Sequence, residues 1–383
     1  MPKTASPHAG PLRVAISALS ARSYGGDSYI RAFIPALARY APELEIVLLA
    51  QDDRYQDLCA QTDNHHYLKV GACGNLSGAR RVVWEQTQLR RIILEERIDL
   101  FYTTNNIAIF NSPVPVVIAV RNMEPLTPCS KGVPLRHAIR HFILSKVTFW
   151  STKKAARIMT VSNFVKETLM AMGVPAEKCD VVYHGIDDIA PSNTETVEKT
   201  SLPYVFSMAK FVRYANLETL FRGFRILKDR GYQGELRFAG GSHDRGYEAE
   251  IRALISELHL DTSVKLLGYI PRTETQRELR KADAFLFPST LEACPFSLLE
   301  GMQQGAAIVA TTCPPMPEFC QDAALFVDPQ NALAFGEAAF RLVSDQSLAR
   351  NLREKALLRA GQFTWERTVR DTVKCWKKAV CES

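Results

Sequence analysis

The chain has 383 residues, 46% hydrophobic and 23% charged, with a formal charge of +6. That balance excludes a disordered, collagenous or small disulfide-stapled protein, and the length allows two domains with deep cores. No apolar run approaches the length that spans a bilayer, and the first residues lack a charged-then-apolar signal pattern.

Residues 1–10, with Pro2, Ser6, Pro7 and Gly10, read as a flexible tail. A first domain is expected over 11–190. Its apolar β-type runs fall at 13–19, 45–49, 100–102, 116–120, 158–161 and 180–183, with helical stretches between them, as at 27–40 and 163–172. Continuous apolar strands separated by helices imply a parallel sheet covered on both faces. Tyr24-Gly-Gly-Asp-Ser28 follows the first strand and opens a helix. Gly25 and Gly26 allow close backbone approach to a ligand, and the helix N-terminus favours an anion; the plainer reading is a tight turn.

No acidic residue lies between Pro125 and Lys166, a stretch that holds Lys131, Arg136, Arg140, Lys146, Lys153, Lys154 and Arg157. Leu135, Ala138, Ile139, Phe142, Ile143 and Val147 keep helical period within it. Two readings stay open. One is a core-packed helix with a solvated basic face. The other is contact of 131–157 with an anionic membrane or a phosphate-bearing acceptor.

Residues 191–202 form a polar break expected to be a linker. The strand pattern restarts over 203–363, at 204–208, 235–239, 264–267, 284–287, 307–310 and 325–327. The fold class is therefore α/β, with two Rossmann-like domains expected to face across a cleft. Ser207-Met-Ala-Lys-Phe-Val-Arg-Tyr-Ala-Asn216 ends the first of these strands, with Asn216 as the expected cap of the helix that follows. Lys210 or Arg213 could meet a phosphate there. Gly240 and Gly268 end the next two strands, where glycine suits a flat ring and is also common without one. His184, in Val182-Tyr-His-Gly-Ile-Asp187, ends the last strand of the first domain; a lone histidine is more often structural.

The most informative stretch follows the run Ala284–Phe287 and a Pro-Ser break. In Ser289-Thr-Leu-Glu-Ala-Cys-Pro-Phe-Ser-Leu-Leu-Glu-Gly-Met-Gln-Gln-Gly305, Glu292 lies in a loop and Glu300 one turn into a helix that Gly305 stops. Ligands of open α/β sheets bind in such places. The ordinary readings are a solvated acid for Glu292 and a capping box, Ser297 with Glu300, for the helix start.

The pair and its setting resemble the Glu-x7-Glu motif of retaining, nucleotide-sugar-dependent glycosyltransferases of family 4, which have the GT-B fold. The resemblance covers nearly the whole chain past the tail. It implies that helix 364–383 crosses back to the first domain and that Glu300 binds the ribose hydroxyls. Glu292 would then bind a donor-sugar hydroxyl and steady the charge growing at the anomeric carbon. Lys210, Arg213 and the N–H groups of Phe296, Ser297 and Leu298 would hold the leaving diphosphate. Gly25 and Gly26 would face the donor phosphate and sugar, His184 would line the cleft, and Gly240 and Gly268 would hold the base. No covalent nucleophile, metal or other cofactor is implied, since the leaving phosphate helps to deprotonate the acceptor and no Asp-x-Asp motif is present.

The chain departs from the family twice. Ala215 stands where a lysine is usual, with Arg213 as its expected substitute. Arg121 stands where many relatives have a histidine near the reacting carbon, and a guanidinium is no proton acceptor; its plainer reading is a partner for Glu124 or another acid at the cleft edge. The expected activity is transfer of a hexose-type sugar from a nucleotide-diphosphate sugar to a glycan or lipid-linked acceptor in cell-surface polysaccharide assembly. A catalytically degenerate GT-B protein that binds a nucleotide sugar or a partner is the alternative. An epimerase shares the architecture, whereas a dehydrogenase would need a G-x-G-x-x-G fingerprint. Nucleic-acid motifs are absent. Nine cysteines without C-x-x-C spacing predict reduced thiols in a cytoplasmic protein, with peripheral contact at the inner membrane face if 131–157 binds lipid.

Overall fold

The structure is a computed structural model that describes residues 10–21, 24–60, 62–70, 78–127, 135–186, 202–242 and 244–382. The expected tail and linker, Gly10 and Leu202 apart, lie outside these residues, as does Lys131. The chain divides into two compact units, Met1–Asp187 with Thr364–Ser383, and Asp188–Phe363.

The first unit holds a parallel sheet of β1 (Arg13–Ser17), β2 (Glu45–Ala50), β3 (His65–Lys69), β4 (Leu100–Thr103), β5 (Val116–Val120), β6 (Arg157–Thr160) and β7 (Cys179–Val181). Its strand order is β3-β2-β1-β4-β5-β6-β7. The helices are α1 (Tyr24–Tyr40), α2 (Gln56–Cys59), α3 (Gly78–Glu95), α4 (Leu135–Lys154) and α5 (Asn163–Ala171). Strands β4, β5 and β6 are buried along their whole length; β5 is an unbroken apolar run, whereas β6 opens with Arg157, whose guanidinium is paired with Asp180 and Glu382. Strand β3 is not legible in the pattern: it lies at the sheet edge, half in water, where the polar run His65-His-Tyr-Leu-Lys69 is tolerated. Helix α1 starts at Tyr24, so Gly25 and Gly26 belong to its first turn rather than preceding it.

The sidedness of α4 corrects the core-packed reading. Leu135, Ile139, Phe142 and Ile143 are exposed, while Thr148, Ser151 and Thr152 are buried.

The second unit has a parallel sheet of β8 (Tyr204–Met208), β9 (Glu235–Ala239), β10 (Val264–Gly268), β11 (Ala284–Phe287), β12 (Ile308–Thr311) and β13 (Ala324–Val327). The order is β10-β9-β8-β11-β12-β13. Around it lie α6 (Leu217–Asp229), α7 (Arg245–Glu257), α8 (Arg272–Lys281), α9 (Phe296–Gln303), α10 (Met316–Cys320), α11 (Ala332–Ser344) and α12 (Gln346–Ala360). Val205, Leu220, Phe224, Phe238, Leu286 and Phe335 form much of its core.

The last helix, α13 (Trp365–Cys381), belongs to the first unit. Trp376 is fully buried there, its ring 5.2 Å from Tyr102 and 6.2 Å from Phe33. A Cβ on Gly185 would stand 2.5 Å from the Trp365 nitrogen, so the exiting and returning strands of chain pass as closely as backbones can. Each sheet reverses its strand order once, between β1 and β4 and between β8 and β11. Such switch points leave a crevice beyond the strand C-termini.

Candidate active site

Lys210 follows β8 and Glu292 follows β11, the two strands flanking the second unit's switch point. The loops that carry them are tied together. The Tyr214 carbonyl accepts from the Thr290 N–H at 2.8 Å and the Thr290 hydroxyl at 3.1 Å. Asn216 stands at the N-cap position of α6 without a side-chain capping bond: it holds a left-handed conformation, φ +54°, and its Nδ2 donates to the carbonyls of Pro288 at 3.1 Å and Pro329 at 2.9 Å. The hydroxyl of Tyr247 takes over the capping, accepting from the Leu217 N–H at 3.1 Å.

This stitching brings Lys210, Tyr214, Ser289, Glu292 and Ser297 to one cavity of about 150 Å³. Ser289 Oγ stands 2.9 Å from Glu292 Oε1 and 3.2 Å from the Tyr214 carbonyl, and its single proton serves one of them at a time. Burial pushes the Glu292 carboxyl up to about 7, with the Ser289 hydrogen bond pulling the other way. Burial also lowers the Lys210 ammonium below its ordinary range. Both groups are held where their charged forms are disfavoured, the condition in which an anionic or hydroxyl-rich ligand gains most from them.

Glu300 is not a cap. Helix α9 begins at Phe296 after Pro295, so Ser297 lies inside the first turn and the capping box does not form. The Glu300 carboxylate, half-buried, lies 3.5 Å from Arg272 Nε at the start of α8. Of the three N–H groups expected at the diphosphate, two are used internally. Phe296 donates to the Cys294 carbonyl and Leu298 to the Pro295 carbonyl, both at 3.0 Å, because the turn is wound tightly behind the proline. Ser297 remains at the cavity. Gly240 and Gly268 are neighbours, joined by a 2.8 Å bond from the Gly240 N–H to the Gly268 carbonyl. Gly240 has a reason of its own: a Cβ there would fall 1.7 Å from the Ala209 carbonyl oxygen.

Arg213 is not brought to the cavity. Its guanidinium is exposed and held bidentate by Glu250 at 3.0 and 2.8 Å, over the Tyr247 ring. Ala215, where the family has a lysine, is buried and lines the cavity with no charge to offer it.

In the first unit, Arg121 follows β5 and meets Gly25 and His184. Its Nε donates to His184 Nε2 at 3.1 Å, and its Nη2 to the Gly25 carbonyl at 3.3 Å. The guanidinium carbon lies 3.9 Å from the centre of the Tyr29 ring. Glu124, its expected partner, pairs with Arg140 at 2.6 Å instead. Among the described residues Arg121 has no carboxylate partner. An Nε2 that accepts from a guanidinium must be unprotonated, which places the His184 proton on Nδ1. Burial first, and then the Arg121 charge, hold the His184 pKa well below the ordinary imidazole value. Gly26 packs against Ala21, whereas a Cβ on Gly25 would meet nothing.

Two family models match the chain. The Family 4 glycosyltransferase model takes residues 24–188 and the group 1 glycosyl transferase model takes 190–359. The chain belongs to the family 4, group 1 glycosyltransferases. The amylovoran biosynthesis glycosyltransferase AmsK of Erwinia amylovora is 30% identical over 171 residues, 43% of this chain and 41% of that one. The O-antigen chain mannosyltransferase B of Escherichia coli is 27% identical over 134 residues, 35% of each chain. The matches thus span about two fifths or less of these relatives' own length. Sucrose-phosphate synthase from Thermosynechococcus elongatus shares the fold, with TM-score 0.77 and 18% identity over 97% of this chain and 100% of that one. The two Rossmann-like units are those of the GT-B fold.

Sequence reasoning about this glycosyltransferase misses three residues at the second unit's site. Ser289 was visible as part of the Pro-Ser turn, but its bond to Glu292 depends on loop geometry. Tyr214 acts through a carbonyl, which every residue has. Arg272 meets Glu300 only because α8 and α9 are neighbours in space, and no spacing in the chain links the two.

Proposed function

We propose that the chain is a retaining glycosyltransferase that moves a hexose-type sugar from a nucleotide-diphosphate sugar to a glycan or lipid-linked acceptor in cell-surface polysaccharide assembly, in the cytoplasm. The observation that carries this reading is the meeting of Lys210 and Glu292 in one cavity at the switch point of a family 4 domain. Lys210 and the Ser297 N–H stabilise the diphosphate as its bond to the sugar breaks, where preorganised donors are worth most. Glu292 binds a donor-sugar hydroxyl. Once it is ionised, its charge steadies the anomeric carbon as positive charge grows there. Glu300, positioned by Arg272, accepts from the ribose hydroxyls. Arg121 binds a phosphate or a sugar hydroxyl. The leaving phosphate takes the acceptor proton on the same face, so configuration is kept and no protein nucleophile is required.

The test is a thermal-shift screen against UDP, GDP, ADP, CMP and dTDP and their sugar conjugates, followed by transfer assays with the donor that binds. A ligand at 100-fold its Kd adds about 2.7 kcal/mol, a visible shift. The expected result is stabilisation by one nucleotide series, lost in Glu300→Ala, together with sugar transfer. Stabilisation without turnover on any acceptor moves the degenerate, binding-only reading ahead. Two observations favour that second reading: Ala215 is buried where a cation is usual, and Arg213 is tied to Glu250.

A further inference from the structure

Helix α4 wears its polarity inside out. At 100° per residue, Leu135, Ile139, Phe142, Ile143, Lys146, Trp150 and Lys153 fall within about 100° of arc, one stripe along the helix. Its five apolar members are 51–75% exposed. The face turned to the protein is polar instead: Thr148, Ser151 and Thr152 are at most 1% exposed. Ser151 Oγ accepts from the Ala108 N–H at 3.0 Å and donates to the Val147 carbonyl at 2.7 Å, which satisfies it where water cannot reach. A helix bathed only in water would place these two faces the other way round.

The charges in and beside this stripe are all of one sign. Lys146 lies 5.4 Å from the Phe142 ring, and Lys153 lies 4.6 Å from Phe149 and 5.8 Å from Trp150. Among the described residues, neither these lysines nor the adjacent Lys154 has a carboxylate partner; Glu124 at the helix flank is taken by Arg140. Large apolar side chains interleaved with lysines, on a helix lying along the surface, match the boundary between acyl chains and acidic headgroups. No helix among the described residues is long and apolar enough to cross a membrane, so such a contact would be made in the plane of the bilayer.

We propose that α4 docks the protein on an anionic lipid surface, with Leu135, Ile139, Phe142, Ile143 and Trp150 entering the interface and Lys146, Lys153 and Lys154 meeting lipid phosphates. The inference rests on α4 alone and stands or falls separately from sugar transfer.

The experiment is flotation of the full chain with vesicles of phosphatidylcholine, with and without phosphatidylglycerol, at low and high salt. Trp150 emission is read as the difference from Trp150→Phe. The protein should float with the acidic vesicles, lose this at high salt, and show a blue shift carried by Trp150. Phe142→Ser with Trp150→Ser, and separately Lys146→Glu with Lys153→Glu, should each lower partition at least about tenfold, since the first pair removes two large apolar groups and each lysine near an acidic leaflet contributes roughly fivefold. The altered side chains are exposed, and an unchanged thermal melt checks the fold. Absence of binding to acidic vesicles, or equal binding by the variants, overturns the proposal. So does a concentration-dependent dimer that Phe142→Ser dissociates without any vesicle binding, which would assign the stripe to a second copy of the chain.

Discussion

The Glu292 cavity and the Arg121 cluster each lie beside a switch point of a parallel sheet, yet burial acts on them in different ways. In the second unit, the half-buried groups respond by shifting toward neutrality: Glu292 is pushed up to about 7 and Lys210 is lowered. In the first unit, the charge is a guanidinium, which does not titrate in proteins, and its surroundings have adapted to it. A ring face, a carbonyl and an unprotonated imidazole nitrogen receive it. One site therefore holds charges that pH and ligands can switch, and the other holds a charge that is always present.

The sharpest test of this contrast is Lys210→Ala. Transfer should fall about 10²–10³-fold, the usual loss when one preorganised donor to developing charge is removed. Unchanged turnover would remove Lys210 from the site. Glu292→Gln comes next. The native state holds the Glu292 proton from the ordinary value of 4.5 up to about 7, so stability declines as pH rises through that window. The glutamine variant should lack this decline and gain up to about 3 kcal/mol at pH 8, read by urea unfolding across pH. Parallel curves for both proteins would show that Glu292 is not desolvated.

For Arg121→Gln, loss of the contact with Tyr29 and the bond to His184 should destabilise the first unit by about 1–2 kcal/mol. Donor affinity should weaken. For His184 the sign is opposite to that of Glu292. Its depressed pKa means that the unfolded chain binds the proton first, so stability falls as pH drops below 6.5. His184→Gln should flatten that acid limb. The smallest effect belongs to Arg213→Ala, which breaks an exposed pair with Glu250 and should cost no more than about 1 kcal/mol, with transfer unchanged. A large loss of donor affinity would return Arg213 to the site.

Much of the fold was readable because buried parallel strands admit few polar residues: the runs at β4, β5 and β11 could hardly be anything else. Strand β3 escaped because an edge strand obeys no such rule. At the site, the Glu292 and Glu300 spacing was legible, since loop and helix lengths are fixed along the chain. What the first turn of α9 does with its N–H groups was not, because Pro295 sets that locally. The Arg213 pairing with Glu250 and the Arg121 pairing with His184 join residues 37 and 63 positions apart, and only the assembled units bring them together. Helix α4 had the expected period and the opposite orientation, since a period says that two faces differ without saying which one meets the core.

The burial of Trp376 between Phe33 and Tyr102 bears on how the chain is made. Synthesis delivers β1 to β7 early, but the helix that closes their core arrives only after all of the second unit has left the ribosome. The second unit has its own core and can fold while the first still waits with Phe33 and Tyr102 uncovered. Birth order and completion order are thus reversed, and a chain cut before Thr364 would leave the earlier-made unit, not the later one, as the sticky species that chaperones must shield.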